Sequence, residues 1–375
     1  MIHSVDAPLE MVTNDLQLVN AIEIAMHEVQ VALDTEGNSF FRYPERLCLI
    51  QIATSKHLWV IDPLEISDLT PLKKLLAEPT VTKLAHGSDY DIRAFDRDWG
   101  YHFQGLYDTT IAARFAGINR FGLGPLVEDL LGINLVKEKR LQRADWSLRP
   151  LSPESLEYAA GDVRHLMALR DVLDKKLISL NRLTWVSEEC KRMESIRHSP
   201  PDPEKAFLSI KGSGVLDPKG LSIFRELVLF RDLHARKRGI PPFRILPDAA
   251  LIYLAGHPES ELQEAPGLNS LGVRRFGRGL KKAIEVGIKS PPFYRPKTNQ
   301  PRPSNEEADR LKKLKKWRVE QAEKMELDQS LIWPMASLER LARIPIIDEE
   351  IFATEIRNWQ REEFETSLRA CLLDL

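Results

Sequence analysis

Two acidic residues, Asp34 and Glu36, stand in the segment VALDTEG with only Thr35 between them. The apolar residues before them alternate as in a buried strand, and side chains at positions i and i+2 of a strand leave the same face. Two carboxylates held that close repel each other unless a cation lies between or beside them. The segment therefore predicts a metal-binding pair of acids on one strand.

Two later segments carry acids where burial is expected. The segment LAHGSDYDIRAF follows a strand-like run and opens a helix, with Asp89 and Asp91 near its first turn. In ESLEYAAGDVRHLMAL, Tyr158 and Asp162 are four residues apart and share one helix face. Each segment alone has an ordinary explanation, a helix N-terminus in the first case and a surface contact in the second. Together with the first pair they offer hard oxygen donors of the kind that Mg²⁺ and Mn²⁺ prefer.

The composition is that of an ordinary globular protein and favours a cytoplasmic location. The chain has 375 residues, 43% hydrophobic and 29% charged, which suits two or three domains. No apolar run approaches the ~20 residues needed to span a bilayer, and the segment MIHSVDAPLE does not resemble a secretory signal. The three cysteines, Cys48, Cys190 and Cys371, are far apart, so buried thiols are expected rather than disulfides or a thiolate metal site.

The net charge of −2 averages over unlike parts of the chain. Residues 205–297 hold 17 Lys and Arg against 8 Asp and Glu, a local charge of +9. Residues 1–200 hold 23 against 29, and residues 298–375 hold 13 against 16. A basic module beside an acidic one is typical of a protein that holds a polyanion and does chemistry on it.

Within the basic module, cations cluster near glycine and aromatic residues in HARKRGIPP and GVRRFGRGLKK. We expect phosphate contacts there and base stacking on Phe276. The predicted nucleic-acid-binding residues are Arg274, Arg275, Arg278 and Lys281. The acidic last segment is a poorer candidate and is expected to pack on the basic module or to close a groove.

Proline-rich stretches at residues 198–205 and 290–304 predict two linkers. Before the first linker, strand-like runs (EVQVALD, LCLIQIA, HLWVID, VTKLAH) alternate with helical patterns, which predicts an α/β domain. After it the patterns are almost wholly helical.

The two helical segments also resemble each other. A gap-free shift of 87 positions places Trp317 on Phe230 and Pro334 on Pro247, and the register holds over about thirty residues. Amphipathic helices share periodicity in any case, but that does not align prolines. The sequence therefore predicts a duplicated helical unit.

The order of these segments resembles the DEDD exonucleases, and most closely the ribonuclease D family, in the subgroup with a tyrosine before the last acid. The resemblance extends to LCLIQIAT, YDTTIAARFAG, GLGPLVEDLLGI and RADWSLRPLSPESLEYAAGDV. It continues into FRELVLFRDLHARKRGIPPFRILPDAALIYLA, which is similar to an HRDC domain.

The resemblance implies a ribonuclease H-like exonuclease domain at residues 1–200, a mixed sheet flanked by helices. Two all-α domains follow, an HRDC domain at 205–297 and a second, divergent HRDC-like domain at 298–375. It also implies a 3′-5′ exoribonuclease that releases 5′-mononucleotides from single-stranded 3′ ends of structured RNA such as tRNA precursors. The alternatives are the same chemistry on DNA and a catalytically silent nucleic-acid-binding protein.

The implied catalytic residues fill three motifs around two divalent cations, Mg²⁺ or Mn²⁺. Asp34 and Glu36 fill the first motif, Asp91 fits the second better than Asp89, and a tyrosine and an acid fill the third. The metal ligands are Asp34, Glu36, Asp91 and Asp162. Two such cations lower the pKa of a bound water and clamp the attacking and leaving oxygens. Tyr158 is expected to orient that water, since a phenol is a weak base.

Four positions near these motifs carry separate expectations. Gly37 stands where an apolar residue is frequent in the family, and Gly161 where Asn is frequent, so substrate preference is the property they affect. His86 is expected to order the turn before Asp91, with a role as base or ligand as the alternative. Asp108 is expected to support the end of the sheet, or to hydrogen-bond a group behind the metal ligands, rather than to bind metal.

Overall fold

A computed structural model describes residues 5–135, 138–202, 204–296 and 303–373. Its first part contains a six-stranded sheet flanked by helices, which confirms the predicted α/β domain. The strands are β1 (Leu9–Val12), β2 (Gln30–Gly37), β3 (Leu47–Ala53), β4 (Leu58–Ile61), β5 (Thr82–Ala85) and β6 (Leu106–Asp108). The helices are α1 (Asp15–Met26), α2 (Thr70–Ala77), α3 (Asp89–Trp99), α4 (Thr109–Phe115), α5 (Leu123–Leu131), α6 (Lys139–Gln142), α7 (Pro153–Arg164), α8 (Leu166–Ser179) and α9 (Leu183–Met193).

The sheet is mixed, with the strand order β1-β4-β3-β2-β5-β6. Strand β3 runs antiparallel to both β2 and β4, whereas β5 runs parallel to β2 and to β6. Strand β2 is central, and its residue Asp34 pairs with Gln51 of β3. The acids of the first motif therefore sit on a strand whose backbone is fixed from both sides.

The two faces of the sheet are covered by different helices. Ala32 of β2 belongs to the apolar cluster that includes Ala159 and Val163 of α7. Leu33, which alternates with it, belongs to the opposite cluster with Phe95 of α3. Because alternate residues of a strand point to opposite faces, α7 covers the face of Asp34 and Glu36, and α3 covers the other.

The second part is helical and has a core of its own. Its helices are α10 (Pro218–Arg238), α11 (Pro242–Ile245), α12 (Asp248–Gly256) and α13 (Ser270–Lys289). Asp217 caps the N-terminus of the long helix α10, and its side chain accepts a hydrogen bond from the amide of Gly220. Gly239 caps the C-terminus in the left-handed conformation. Both ends follow the residue types that favour helix caps.

The third part repeats the bounds of the second at an interval of 87 residues. Its helices are α14 (Asn305–Met325), α15 (Gln329–Ile332), α16 (Met335–Arg343), α17 (Glu349–Glu355) and α18 (Asn358–Leu373). The buried arginine of α10, Arg231, corresponds to the buried Arg318 of α14. The first three helices of the two parts begin and end at positions 87 residues apart. The repeat found in the sequence is therefore also a repeat of secondary structure.

The third part packs on the first, α/β part of the chain. Trp359 of α18 stacks on Trp185 of α9, with ring centroids 4.6 Å apart, and meets Phe115 of α4 edge to face at 5.0 Å. The carboxylate of Glu188 accepts hydrogen bonds from the backbone amides of Asn358 and Trp359. One apolar cluster therefore runs through both parts, which corrects the expectation that the acidic segment packs on the basic module.

Two further expectations concern the cysteines and membrane spans. Cys48 and Cys190 are buried free thiols and Cys371 is partly buried. Burial raises the pKa of Cys48 and of Cys190 to about 12, so both remain protonated at neutral pH. Within the described residues, every helix is too short or too polar to cross a bilayer.

Candidate active site and nucleic-acid interface

Three carboxylates meet where the end of β2 faces α7. Oxygen atoms of Asp34, Glu36 and Asp162 all lie within 4.8 Å of one another. Asp34 and Glu36 are partly exposed, whereas Asp162 is buried. Three negative charges at this separation repel one another in a partly dry site, so the arrangement suits a divalent cation with oxygen ligands.

Helix α7 places Asp162 and Tyr158 over the strand. The helix begins at Ser152, whose hydroxyl accepts a hydrogen bond from the amide of Ser155 at 3.1 Å, followed by proline at the first helical position. Its small residues Ala159 and Ala160 are fully buried, which allows close packing on the sheet. The functional side chains are thus carried on a well-capped, closely packed helix.

Tyr158 lies beside the acidic cluster and packs near the buried Trp146, with ring centroids 6.0 Å apart. Burial, followed by the negative charges of Asp162, Glu36 and Asp34, raises the pKa of Tyr158 well above its usual range. The phenol therefore stays protonated at neutral pH and can donate a hydrogen bond to a water or a phosphate oxygen.

Asp91 approaches the site from the other face of the sheet. It lies in the first turn of α3, is 5% exposed, and is outside the group of three carboxylates that meet within 4.8 Å. The hydroxyl of Thr35 donates a hydrogen bond to its Oδ1. Burial raises the pKa of Asp91 well above its usual range, and the charges of Asp108 and Asp162 act in the same direction. The carboxyl is thus anchored directly behind the residue pair of the first motif.

Asp89, the second choice for this motif, has a different environment. Its side chain is exposed and forms an ion pair with Arg93 one helical turn later, at 2.8 Å. An exposed pair of this kind contributes little to stability.

The turn before α3 is fixed by Asp108. Its carboxylate accepts hydrogen bonds from the amides of Gly87 at 3.1 Å and Ser88 at 2.7 Å, and it also caps α4 through the amide of Thr110. Asp108 therefore supports the end of the sheet, as expected. His86 lies in the same turn, with its Nδ1 2.9 Å from the hydroxyl of Thr109.

Two polar residues of the site were not singled out by the sequence analysis. From the sequence, Thr35 is only the residue that separates Asp34 and Glu36. In the structure its hydroxyl donates a hydrogen bond to the carboxyl of Asp91. Gln51 is fully buried opposite Asp34, and neither its amide nitrogen nor its oxygen has a hydrogen-bond partner among the described residues. The signal was available, since Gln51 interrupts the apolar run LCLIQIA. Buried amides without partners are uncommon in proteins.

The two glycines that depart from the family pattern have different surroundings. A Cβ atom at Gly37 would lie 2.3 Å from the hydroxyl oxygen of Tyr90, the residue directly before Asp91. Gly37 therefore makes room for a tyrosine at the edge of the site. Within the part of the chain that the structure describes, a Cβ atom at Gly161 would meet only Leu135, at 3.5 Å.

A cavity of ≈ 420 Å³ opens beside the acidic cluster. Tyr158, Gly161, Asp162 and His165 of the α7 region form one wall, and Leu135 and Leu141 contribute apolar surface. Burial lowers the pKa of His165, and the charge of Arg164 adds to that effect, so its imidazole is neutral at pH 7. The cavity reaches the acidic cluster at Asp162.

The predicted nucleic-acid-binding residues are all exposed on α13: Arg274, Arg275, Arg278 and Lys281. Three of them, at positions 274, 278 and 281, share one helix face. Phe276 is 6% exposed and packs edge to face with Phe230 and His234, so the expectation of base stacking on it was wrong. A further cation of the predicted stretch HARKRGIPP, Arg238, lies over the ring of Phe276 at 5.0 Å.

Comparisons with known proteins agree with this geometry. A family model described as a 3′-5′ exonuclease matches residues 9–178, and a model of the HRDC domain matches residues 220–284. The chain is 30% identical to ribonuclease D of Nitrobacter hamburgensis over 362 residues, which cover 95% of this chain and 93% of that protein. It is 32% identical to ribonuclease D of Escherichia coli over 279 residues, 74% of each chain.

The fold comparison gives the same result over nearly the whole chain. The crystal structure of E. coli RNase D, described as an exoribonuclease involved in structured RNA processing, superposes with a TM-score of 0.72 at 26% identity. The match covers 98% of this chain and 99% of that one. Sequence and fold together show that this chain belongs to the ribonuclease D family of 3′-5′ exoribonucleases.

Proposed function

We propose that this chain removes nucleotides from the 3′ ends of structured RNA, such as tRNA precursors, with two divalent cations at the acidic cluster. The observation that carries the proposal is the meeting of Asp34, Glu36 and Asp162 within 4.8 Å. Because tRNA precursors are cytoplasmic in bacterial cells, the proposed place of action is the cytoplasm.

The side chains fit Mg²⁺ or Mn²⁺ by their chemistry. The cluster offers carboxylate oxygens only, with no thiolate or imidazole among its three members, and hard cations prefer such donors. Asp34, Glu36 and Asp162 would hold the cations. We propose Asp91 as the fourth ligand, because its carboxyl lies near enough to Asp162 for the charge of Asp162 to act on it. When bound, the cations supply an activated water and charge stabilisation for phosphodiester hydrolysis.

The protein's own residues supply position and protonation. Tyr158 keeps its proton because its pKa is raised, so its hydroxyl can hold the attacking water by a hydrogen bond. Thr35 fixes the carboxyl of Asp91, and Asp108 fixes the turn from which α3 starts. A rigid set of acids can clamp a phosphate without rearranging during the reaction.

RNA as the substrate is supported by the family and by the charge of the second part. The related E. coli enzyme is described as acting in structured RNA processing. Residues 205–297 carry a local charge of +9, and the exposed cations of α13 offer contacts to phosphates. We propose that Arg274, Arg275, Arg278 and Lys281 bind the RNA backbone.

We also propose three domains, at residues 1–200, 205–297 and 298–375, with the last a divergent HRDC-like copy of the second. The repeat of helix bounds at an interval of 87 residues supports the duplication. The separate core of the second domain and the shared core of the other two support the division after residue 204.

The direct test uses matched RNA and DNA oligonucleotides of one sequence, with Mg²⁺, with Mn²⁺ or with EDTA. We expect stepwise shortening of the RNA from its 3′ end, release of 5′-mononucleotides and loss of activity in EDTA. The variant Asp34→Asn keeps the shape and removes one charge, and a mock purification without the protein controls for contaminating nucleases. Faster degradation of the DNA strand would favour the alternative substrate, and an Asp34→Asn protein with wild-type rate would refute the proposed site.

A further inference from the structure

A second cavity, of ≈ 440 Å³, lies at the junction between the exonuclease domain and the HRDC domain. Residues from both domains line it: Asn38, Arg42, Tyr43, Pro44, Arg46 and Ser147 from the first, and Arg238 and Gly239 from the second. Three arginines therefore face one opening. We call it the junction cleft.

The walls of the junction cleft are held together by direct contacts. The hydroxyl of Tyr43 donates a hydrogen bond to Asp232 of α10, and its amide donates one to the carbonyl of Gly239 at 3.2 Å. The guanidinium of Arg236 lies 5.1 Å from the Tyr43 ring. A second stacking contact places Arg244 over Phe41 at 4.4 Å. The relative position of the two domains at the cleft is thus fixed by side chains on both sides.

The charge of the cleft is largely uncompensated. Among the described residues, neither Arg46 nor Arg238 forms an ion pair with an acid, and only Arg42 does so, with Asp145 at 3.5 Å. Burial lowers the pKa of Arg238, and the charge of the nearby Arg275 adds to that effect. The cleft therefore continues into the exposed cations of α13, which we call the basic edge of α13: Arg274, Arg275, Arg278 and Lys281. Cations gathered without acids create a positive potential that attracts a polyanion.

The cleft also lies next to the acidic cluster along the chain. Asn38 follows Glu36 by two residues, just after β2 ends at Gly37, so its backbone lies within about 7 Å of that of Glu36. The loop that carries it is closed, because the side-chain oxygen of Asn38 accepts a hydrogen bond from the amide of Arg46 at 2.9 Å. A strand whose 3′ end reaches the carboxylates can therefore pass the cleft on its way to the HRDC domain.

We propose that the junction cleft binds backbone phosphates of the RNA strand just upstream of the nucleotide being removed, mainly through Arg46 and Arg238. The inference rests on the proposed function, since it assumes that the 3′ end lies at the acidic cluster. Arginine forks bind phosphate oxygens in pairs. The cleft then guides a single strand between the catalytic site and the basic edge of α13.

The test is the double variant Arg46→Ala/Arg238→Ala in the full-length chain. The full chain is needed because the last domain shares a core with the exonuclease domain. A single-stranded RNA of about eight nucleotides, within the common range of single-strand sites, is compared with a dinucleotide. We expect kcat/KM for the longer strand to fall at least tenfold more than for the dinucleotide, with most of the loss in KM. Removal of two phosphate contacts should also reduce the slope of log affinity against log salt by about 1.4.

Two controls make the result specific. The variant Lys312→Ala/Lys315→Ala removes the same charge from exposed positions of α14 and is expected to leave the salt slope unchanged. The variant Arg46→Lys/Arg238→Lys keeps the charge and is expected to restore part of the affinity, which separates phosphate binding from a folding defect.

An equal loss on both RNA lengths, or a salt slope equal to that of the wild type, would overturn the proposal for the cleft. So would a failure of the lysine variant to restore any binding while its thermal unfolding stays wild-type. Failure of the proposed function looks different, because the wild-type chain itself would then not hydrolyse either RNA. Binding is therefore measured by fluorescence anisotropy as well as by hydrolysis.

Discussion

The hydroxyl of Thr35 donates a hydrogen bond to the carboxyl of Asp91, across 56 positions of the sequence. Thr35 points to the face of the sheet opposite Asp34 and Glu36, and α3 covers that face. The contact therefore joins the second acidic motif to the first through the strand itself. It also supplies the buried Asp91 with a donor, which a buried carboxyl needs.

Replacement of Thr35 by valine should remove this hydrogen bond while the side-chain volume stays similar. We expect a loss of about 1–3 kcal/mol in the free energy of unfolding, because a buried polar group loses its partner. We also expect a lower kcat, because Asp91 is no longer held. Chemical denaturation and RNA hydrolysis measure the two effects. Thr35→Ser keeps the hydroxyl and should stay close to the wild type, and equal behaviour of the serine and valine variants would contradict the role.

Asp91 and Asp89 offer a comparison within one helical turn. Asp91 is buried behind the first motif, whereas Asp89 is exposed and paired with Arg93. We expect Asp91→Asn to reduce kcat by orders of magnitude and Asp89→Asn to change stability by less than about 0.5 kcal/mol. Hydrolysis rates of the two variants under one set of metal concentrations decide this, and the reverse ranking would assign the second motif to Asp89.

The variant Tyr158→Phe distinguishes two possible roles of Tyr158, orientation of the attacking water and direct binding of a metal cation. The raised pKa of Tyr158 keeps the phenol protonated, and a neutral phenol is a poor ligand for a hard cation. We expect kcat to fall by roughly 10–150-fold, because a hydrogen bond that orients the attacking water is worth about 1.5–3 kcal/mol. Calorimetric titration should show divalent-metal affinity within about twofold of the wild type, a difference of only ~0.4 kcal/mol. Complete loss of metal binding in this variant would show that Tyr158 is a ligand.

The space over Gly37 can be tested by a double-mutant cycle. In Gly37→Ala, the new methyl group would lie 2.3 Å from the hydroxyl of Tyr90, and the next ring atom is 3.4 Å away. We expect the single variant to lose about 1–3 kcal/mol of stability, as overpacked sites do. Tyr90→Phe removes the clashing oxygen, so the double variant should recover most of that loss. Additive effects of the two substitutions would mean that the contact does not constrain the site.

Lys83 gives a prediction for pH. It is fully buried in β5 and donates hydrogen bonds to the carbonyls of Glu78 and Val81, the latter at 2.7 Å. Burial lowers its pKa from 10.5 to about 8. Between these two values the unfolded chain binds more protons than the folded one, so the stability contributed by Lys83 rises with pH. Below pH 8 the amine is charged in both states and the destabilisation is fully present.

The measurement is the difference in free energy of unfolding between the wild type and Lys83→Met at several pH values. From pH 8 to pH 10 we expect this difference to shift in favour of the wild type, by up to about 1.4 kcal/mol per pH unit. Subtraction cancels the titration of other groups. A difference that stays constant over this interval would show that the lysine keeps an ordinary pKa in the folded state.

The sequence by itself determined the local features of this protein. The alternation in VALDTEG placed Asp34 and Glu36 on one face of a strand, and the spacing of Tyr158 and Asp162 placed both on one face of a helix. These features depend on backbone periodicity, which is fixed by neighbouring residues. The repeat at an interval of 87 residues is also visible in the sequence, because equivalent residues of the two segments form equivalent helices and turns.

Only the tertiary structure decided which segments meet. It placed α3 and α7 on opposite faces of the sheet, so that three acids gather on one side and Asp91 arrives from the other through Thr35. It buried Phe276, left the side-chain amide of Gln51 without a hydrogen-bond partner among the described residues, and packed the last domain on the exonuclease domain. Such contacts depend on how whole elements bury their apolar faces against one another, and that packing is a property of the folded chain rather than of any local pattern.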